Sequence, residues 1–429
     1  MKVLALTAGA AGMYCGTCLR DNTLAAQLME LGHDVILAPI YTPTLTDERN
    51  VSQSRVLFGG VNVYLQQHVP FFRQTPAAID RLLDSPKLLN TVSARSIPTD
   101  PKMLGELTVS MLRGESGSLR KEFQKLREWL GSESPPDIVD LPYSLLIALA
   151  RPIKEVTGRP ICCTLQGESL FLDSLREPYR GEALALIRSN VEHVDAFIAV
   201  STFYAGFMAE YLSIPPAKIH VVPLGIDLEG HAIRAERQAG PPRIGYFARI
   251  APEKGLHLLA EAFRLLLRTD EFKNARLDCA GYLPPEHKGY LAGIERATGK
   301  SFTYHGVLDR PGKIRFLQSA DVFSVPVTYD EPKGLSVLEA MANGTPVVQP
   351  SRGAFPEMLE KTGGGLLVPP DDPVALAEGL RSLLLDRERA ARLGRAGAEG
   401  VRRHYNAATM ARRTLEVYSS VLTPTYSKA

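Results

Sequence analysis

The chain has 429 residues, enough for two domains that each bury a core. Hydrophobic residues at 45% and charged residues at 22% are ordinary for a globular protein, and a formal net charge of +2 gives no basis for nucleic-acid binding. No apolar run approaches the roughly 18 residues of a membrane span.

The first ten residues faintly resemble a signal peptide, but the apolar stretch is short. It leads directly from a strand, Val3 to Thr7, into a loop and helix, so it reads as the first strand of a cytoplasmic protein. The loop from Ala8 to Gly16 contains Gly9, Gly12 and Gly16. A helix follows from Leu19 to Leu31, with Leu24, Leu28 and Leu31 on one face and Gly32 closing it. Asp34 to Ala38 is the second strand, giving a mononucleotide-type βαβ whose loop suits an anionic ligand. The glycines do not spell G-x-G-x-x-G, and the second strand ends in Ala38-Pro39 without a ribose-binding acid. A nicotinamide oxidoreductase is therefore disfavoured. Cys15-x-x-Cys18 is compatible with a redox pair or half a zinc site. A second pair is missing, because Cys162 and Cys163 are adjacent and Cys279 stands alone. Loop thiols without a metal are favoured.

Residues 66–135 break the alternation, with Pro70, Pro76, Pro86, Pro98 and Pro101 between short helical segments of an insertion. Within it, Leu119, Phe123, Leu126 and Leu130 repeat at helical spacing among Arg120, Lys121, Lys125 and Arg127. Such a helix fits either a peripheral membrane contact or packing on the domain, and packing is favoured. Strands resume at Asp137 to Asp140 and at Pro160 to Leu165, the latter ending in Gln166-Gly167-Glu168. Ala196 to Ser201 and Lys218 to Asp227 close the first half. The polar stretch from Glu229 to Pro242, ending in Gly240-Pro241-Pro242, marks a domain boundary.

The second half opens with a strand, Arg243 to Ala248, then the loop Arg249-Ile-Ala-Pro-Glu-Lys254-Gly255 and a helix from Leu256 to Leu267. Two cations at the C-terminal end of a strand suit a pyrophosphate, Arg as a fork and Lys as a point charge. Asp278 to Gly281 and Phe302 to Val307 are further strands with glycine turns, and His305 is equally suited to a structural or a ligand role. Asp321 to Pro326 suits a buried strand and Thr345 to Val348 another. Between them, Leu335 to Asn343 reads as a helix stopped by Asn343-Gly344. The preceding loop holds Glu331 and the Lys333-Gly334 turn, where backbone N–H groups and a helix start favour a phosphate. Ser336 and Glu339 have capping-box spacing, which gives Glu339 a second reading as a tie for the helix start.

The segment Glu331-Pro-Lys-Gly-Leu-Ser-Val-Leu-Glu339-Ala-Met-Ala resembles the Glu-x7-Glu signature of the GT-B glycosyltransferases, in particular the large retaining family 4. The resemblance spans nearly the whole chain. It implies an α/β fold of two Rossmann-like domains facing each other across a cleft. The N-terminal domain would be 1–229, the nucleotide-sugar domain 230–405, and 406–429 a helix crossing back. It further implies Glu331 on sugar hydroxyls, Gly334 and Leu335 facing sugar and phosphates, and Glu339 on the ribose. Arg249 and Lys254 would clamp the phosphates, with Val307 near the base. The first glycine loop would carry Gly9, Gly12 and Gly16, with Gly12 on the donor and the others toward the acceptor. Gln166, Gly167 and Glu168 would lie near the sugar or acceptor. The family's usual aromatic before the Gly is Lys333 here, and its usual His is Gln166.

The reading is a metal-independent, retaining transfer of a sugar from a nucleotide-sugar donor to a glycan, lipid or small-molecule acceptor, with no cofactor. No D-x-D triplet occurs in the sequence. The rivals are a nucleotide-sugar-binding protein with lost catalysis, and a glycoside hydrolase using the glutamate pair. The hydrolase is weaker because both acids share one loop–helix unit.

Overall fold

A computed structural model of the protein describes residues 1–9, 14–54, 56–58, 63, 101–233 and 240–422. Gly12 and residues 66–100 of the expected insertion lie outside the described residues. The chain divides into two compact units, Met1–Pro223 with Met410–Ala429, and Leu224–Thr409.

The first unit contains β1 (Lys2–Thr7), α1 (Gly16–Glu30), β2 (Asp34–Pro39), α2 (Pro101–Leu112), α3 (Arg120–Ser132), β3 (Ile138–Leu141), α4 (Ala150–Thr157) and β4 (Ile161–Leu165). Then come α5 (Ser169–Ser174), α6 (Tyr179–Asn190), β5 (Ala196–Ala199), α7 (Thr202–Tyr211) and β6 (Ile219–Val221). The strands form one parallel sheet in the order β2-β1-β3-β4-β5-β6. Every residue of β3, β4 and β5 is buried, as expected when helices cover both faces of a parallel sheet. Alternation along β1 divides the core. Leu4 and Leu6 pack with Val139 and Leu165 on one face, and Val3 packs with Leu24 and Leu37 on the other.

Helix α3 settles the amphipathic stretch. Leu119, Phe123, Leu126 and Leu130 are all buried in the first core, so this apolar stripe is covered by the domain and not offered to a membrane. Two of its cations are held by neighbouring acids, Lys125 by Glu122 (2.7 Å) and Arg127 by Glu155 (2.7 Å). Among the described residues no helix is long and apolar enough to cross a membrane.

The second unit contains β7 (Arg243–Phe247), α8 (Leu256–Leu266), β8 (Arg276–Ala280), α9 (Lys288–Thr298), β9 (Phe302–Tyr304), α10 (Arg310–Ser319) and β10 (Val322–Phe323). It continues with α11 (Leu335–Ala342), β11 (Val347–Pro350), α12 (Phe355–Thr362), β12 (Gly365–Val368), α13 (Pro373–Leu385) and α14 (Arg387–His404). Its parallel sheet has the order β12-β11-β10-β7-β8-β9. Counted from β7, this is the doubly wound Rossmann order, and the order reverses between β7 and β10. The loops after these two strands therefore lie at the point where such sheets receive ligands.

The units meet in sequence at Pro223/Leu224, ahead of the polar 229–242 stretch. Leu224 and Ile226 already belong to the second core, and Ile226 is fixed by Ile226 N–H to Tyr405 O (2.9 Å) and Ala407 N–H to Ile226 O (2.9 Å). The last helix, α15 (Ala407–Leu422), places Met410, Ala411, Val417 and Tyr418 in the first unit's core beside Val3 and Ile138. The Tyr418 hydroxyl donates to the buried Asp140 Oδ2 at 2.8 Å, joining this helix to β3.

Tyr418→Phe keeps the ring and removes that bond. Urea unfolding should show a stability loss of about 1–2 kcal/mol. A value within error of wild type would mean that the apolar contacts alone hold α15 in place.

Candidate functional site

In the second unit the loop after β7 carries Arg249 and Lys254, the latter in a short 3-10 turn over Pro252–Lys254. The loop after β10 carries Tyr329 and Glu331. Backbone bonding ties the two loops together, since Thr328 N–H donates to Glu253 O at 2.9 Å. Lys254 Nζ donates to Glu331 Oε2 at 2.6 Å and to the Tyr329 hydroxyl at 2.5 Å, and that hydroxyl donates in turn to Glu331 Oε2. The ammonium also lies 5.0 Å from the centroid of the Tyr329 ring. The other oxygen, Oε1, accepts the backbone N–H groups of Lys333 (3.2 Å) and Gly334 (3.4 Å).

Burial by itself pushes the Glu331 carboxyl up. The charge of Lys254, and the hydrogen bonds from Lys254 and Tyr329, outweigh it and hold the group at about 2. Burial pushes the Tyr329 phenol well above its ordinary range, so it stays protonated and acts as a donor. The N–H groups expected to face a phosphate are thus engaged by Glu331.

Arg249 is half-exposed, with Nη2 on the carboxylate of Glu253, which holds its guanidinium at the mouth of the same loop. Gly334 is left-handed (φ 61°) and begins α11, with its Cα packed toward Phe355 and Met358. Leu335 is the first helical residue and packs partly on the core. A third loop, after β11, supports Glu331 from behind. Ala354 N–H donates to Glu331 O at 2.8 Å, and a Cβ on the left-handed Gly353 would lie 2.4–2.5 Å from Glu331 backbone atoms. Only glycine fits there without displacing the loop that carries Glu331.

Glu339 is not a helix cap. The helix starts at Leu335, so Ser336 already lies inside the first turn, and no side chain caps the end. Glu339 accepts from Lys313 Nζ of α10 at 2.5 Å, and both residues are buried. His305 is held structurally. Its Nε2 is 2.8 Å from Asp278 Oδ1, and its N–H donates to Cys279 O. Val307, beyond β9, is an exposed apolar side chain. Sequence reasoning missed Tyr329, Lys313 and Gly353. The only signal for Tyr329 was its place two residues before Glu331, and Lys313 lies in a stretch, 310–319, with no motif to single it out.

In the first unit the expected contacts turn inward. Gln166 is buried, its Nε2 donating to Pro142 O (2.8 Å) and Asp21 Oδ1 (3.3 Å). Burial pushes the Asp21 carboxyl up to about 6, with Arg20 opposing and Asp140 adding to the rise. Glu168 is a buried hub. Oε1 accepts from Ser144 N–H (3.0 Å) and Ser144 Oγ (2.9 Å), and Oε2 from Gln166 N–H (2.9 Å), Gly167 N–H (3.0 Å) and Tyr204 OH (3.3 Å). It shapes the turn after β4. Gly9 lies against the Thr42 carbonyl, and Gly16 is the first residue of α1.

Lys254→Ala would leave Glu331 buried without its cation, which should cost about 3 kcal/mol at neutral pH. In the wild type the folded pKa lies below the unfolded value, so that stabilisation is present above about pH 4.5 and lost as pH falls toward 2. In the variant, burial dominates and the folded pKa rises, so acidification relieves the defect. The stability gap between the two proteins should therefore shrink from pH 7 to pH 4 in denaturant titrations. A constant gap would show that Lys254 does not neutralise Glu331.

Two family profiles match adjacent parts of the chain: "Glycosyltransferase Family 4" over residues 108–230 and "Glycosyl transferases group 1" over residues 232–400. The chain is 32% identical over 237 residues to a phosphatidyl-myo-inositol mannosyltransferase of Mycobacterium leprae, an alignment covering 54% of this chain and 61% of that relative. Among solved structures, a sucrose-phosphate synthase from Thermosynechococcus elongatus superposes with a TM-score of 0.74 at 19% identity, covering 98% of this chain and 99% of that one. The Anabaena protein HepE, solved in complex with UDP, superposes with a TM-score of 0.68 at 17% identity, covering 98% and 100%. With two doubly wound sheets and both profiles matched in order, the chain belongs to the GT-B glycosyltransferases of family 4, the glycosyl transferases group 1.

Proposed function

We propose that the chain transfers a sugar from a nucleotide-sugar donor to an acceptor, with retention of configuration and with its own cations, not a metal, facing the leaving diphosphate. The observation that carries this reading is the meeting of Lys254 and Glu331 at the switch point of the second sheet. A cation and a carboxylate held 2.6 Å apart suit the two sides of a scissile sugar–phosphate bond. Lys254 and Arg249 stabilise the charge that builds on the diphosphate, the largest electrostatic demand of the step. Glu331, ionised at any ordinary pH, accepts from sugar hydroxyls and orients the ring. Glu339 and Lys313 hold the ribose end, and Val307 offers an apolar surface to the base. The solved complex of HepE with UDP favours a nucleoside diphosphate as the donor's carrier.

The acceptor is a glycan, a lipid or a small molecule, and the setting is cytoplasmic synthesis of envelope or other polysaccharide. One relative is named for phosphatidyl-myo-inositol, which makes an inositol lipid one acceptor to assay. A glycoside hydrolase fits the site poorly. Glu331 and Glu339 are each bound by a lysine, so neither is set to protonate a glycosidic oxygen.

A thermal-shift screen with UDP-, GDP- and ADP-sugars should raise the melting temperature for one nucleotide class, because ligand binding to the folded state stabilises it. With that donor, turnover should persist in a metal chelator. Arg249→Ala should lower turnover about a hundredfold, on the order of 3 kcal/mol of lost transition-state stabilisation, with little change in stability. No shift with any nucleotide sugar would refute the reading. Wild-type turnover in Arg249→Ala would remove that residue from it.

A further inference from the structure

The chain has five cysteines, and Cys18, Cys162, Cys163 and Cys279 are buried. Cys15 alone is partly exposed. It occupies the N-cap of α1 in extended backbone (φ −121°, ψ 126°), and its carbonyl accepts the Leu19 N–H at 2.9 Å. Cys18 lies three residues on, in the first helical turn, so the two side chains share one face of the helix. Cys15 interacts with the Cys18 thiol, and Thr7 and Asp21 also neighbour it. One member of the pair is reachable from solvent and its partner is sealed behind it. Among the described residues no three His, Cys, Asp or Glu side chains converge to hold a metal ion.

We propose that Cys15 and Cys18 are a reversible disulfide site at the start of α1, with Cys15 meeting the oxidant and Cys18 resolving. The oxidant is a small-molecule disulfide of the glutathione type. The Cys15 thiolate attacks one sulfur of that disulfide. The external S–S bond breaks, one glutathione leaves as its thiolate, and a mixed disulfide forms on Cys15. Interaction with Cys15, together with burial, pushes the Cys18 thiol up. That interaction changes once Cys15 is in the mixed disulfide. Cys18 Sγ then attacks Cys15 Sγ, the Cys15–glutathione bond breaks, and the Cys18 proton passes to the departing glutathione sulfur, which leaves as a thiol. Two protein thiols are oxidised by two electrons while one external disulfide becomes two thiols. The new bond ties the N-cap of α1 to its first turn. This proposal is independent of the sugar-transfer reading.

The native full-length chain is incubated with oxidised glutathione, blocked with iodoacetamide, digested and mapped by mass spectrometry. The expected result is a loss of two hydrogens in the peptide spanning Cys15 and Cys18. Cys15 labelling should also be lost, and dithiothreitol should reverse both changes. Cys18→Ala, checked for folding by circular dichroism, should instead retain glutathione on Cys15, and Cys15→Ala should retain none. A lasting glutathione adduct on Cys15 of the wild type, or Cys15 labelling unchanged by oxidation, would overturn the proposal. The wild-type map decides the matter even if Cys18→Ala does not fold.

Discussion

A buried carboxylate without its cation is costly, and the loops of the second unit are arranged so that Glu331 never lacks one. Lys254, Tyr329 and two backbone N–H groups converge on its two oxygens. The constraint reaches three crossovers of the sheet. β7 supplies the lysine, β10 the acid and its tyrosine, and the loop after β11 the Gly353-Ala354 backbone that fixes the acid's main chain. Because the order of strands reverses between β7 and β10, two loops far apart in sequence emerge side by side.

A diphosphate arriving at this place would meet a lysine already committed to a carboxylate. Under the proposed function the pair would act as a placeholder, with Glu331 holding the ammonium 2.6 Å away until a phosphate oxygen shares it. The pairing of Lys313 with Glu339 repeats the device one helix further along, with both partners buried. In the first unit the buried charges serve the frame. Glu168 fastens the turn after β4, and Asp140 receives the hydroxyl of Tyr418 from the last helix.

Much of this was legible in the sequence. Apolar runs with glycine stops marked alternating strands and helices, and the Glu-x7-Glu loop and the Arg249–Lys254 loop could be placed after strands. The partners were not legible. Lys254 and Glu331 are 77 residues apart, and Lys313 and Glu339 are 26 apart, so only the fold brings them together. Capping-box spacing misled at Ser336 because the left-handed Gly334 starts the helix at Leu335. Gln166 and Glu168 were placed near the sugar or acceptor by the family resemblance alone. Here the Gln166 amide nitrogen is taken up by Pro142 and Asp21, and both Glu168 oxygens by Ser144 and the turn itself, while Gln166 Oε1 is buried without a hydrogen-bond partner among the described residues. Helical periodicity at Leu119 to Leu130 identified the apolar stripe but not what covers it.

The central claim is that the lysine paired with Glu331 is also the one that grips a donor's diphosphate. Calorimetric titration of the nucleoside diphosphate into wild type and Lys254→Ala, each confirmed as folded by circular dichroism, tests it most directly. The account predicts at least roughly tenfold weaker binding in the variant, about 1.4 kcal/mol. Equal affinity in the two proteins would contradict it.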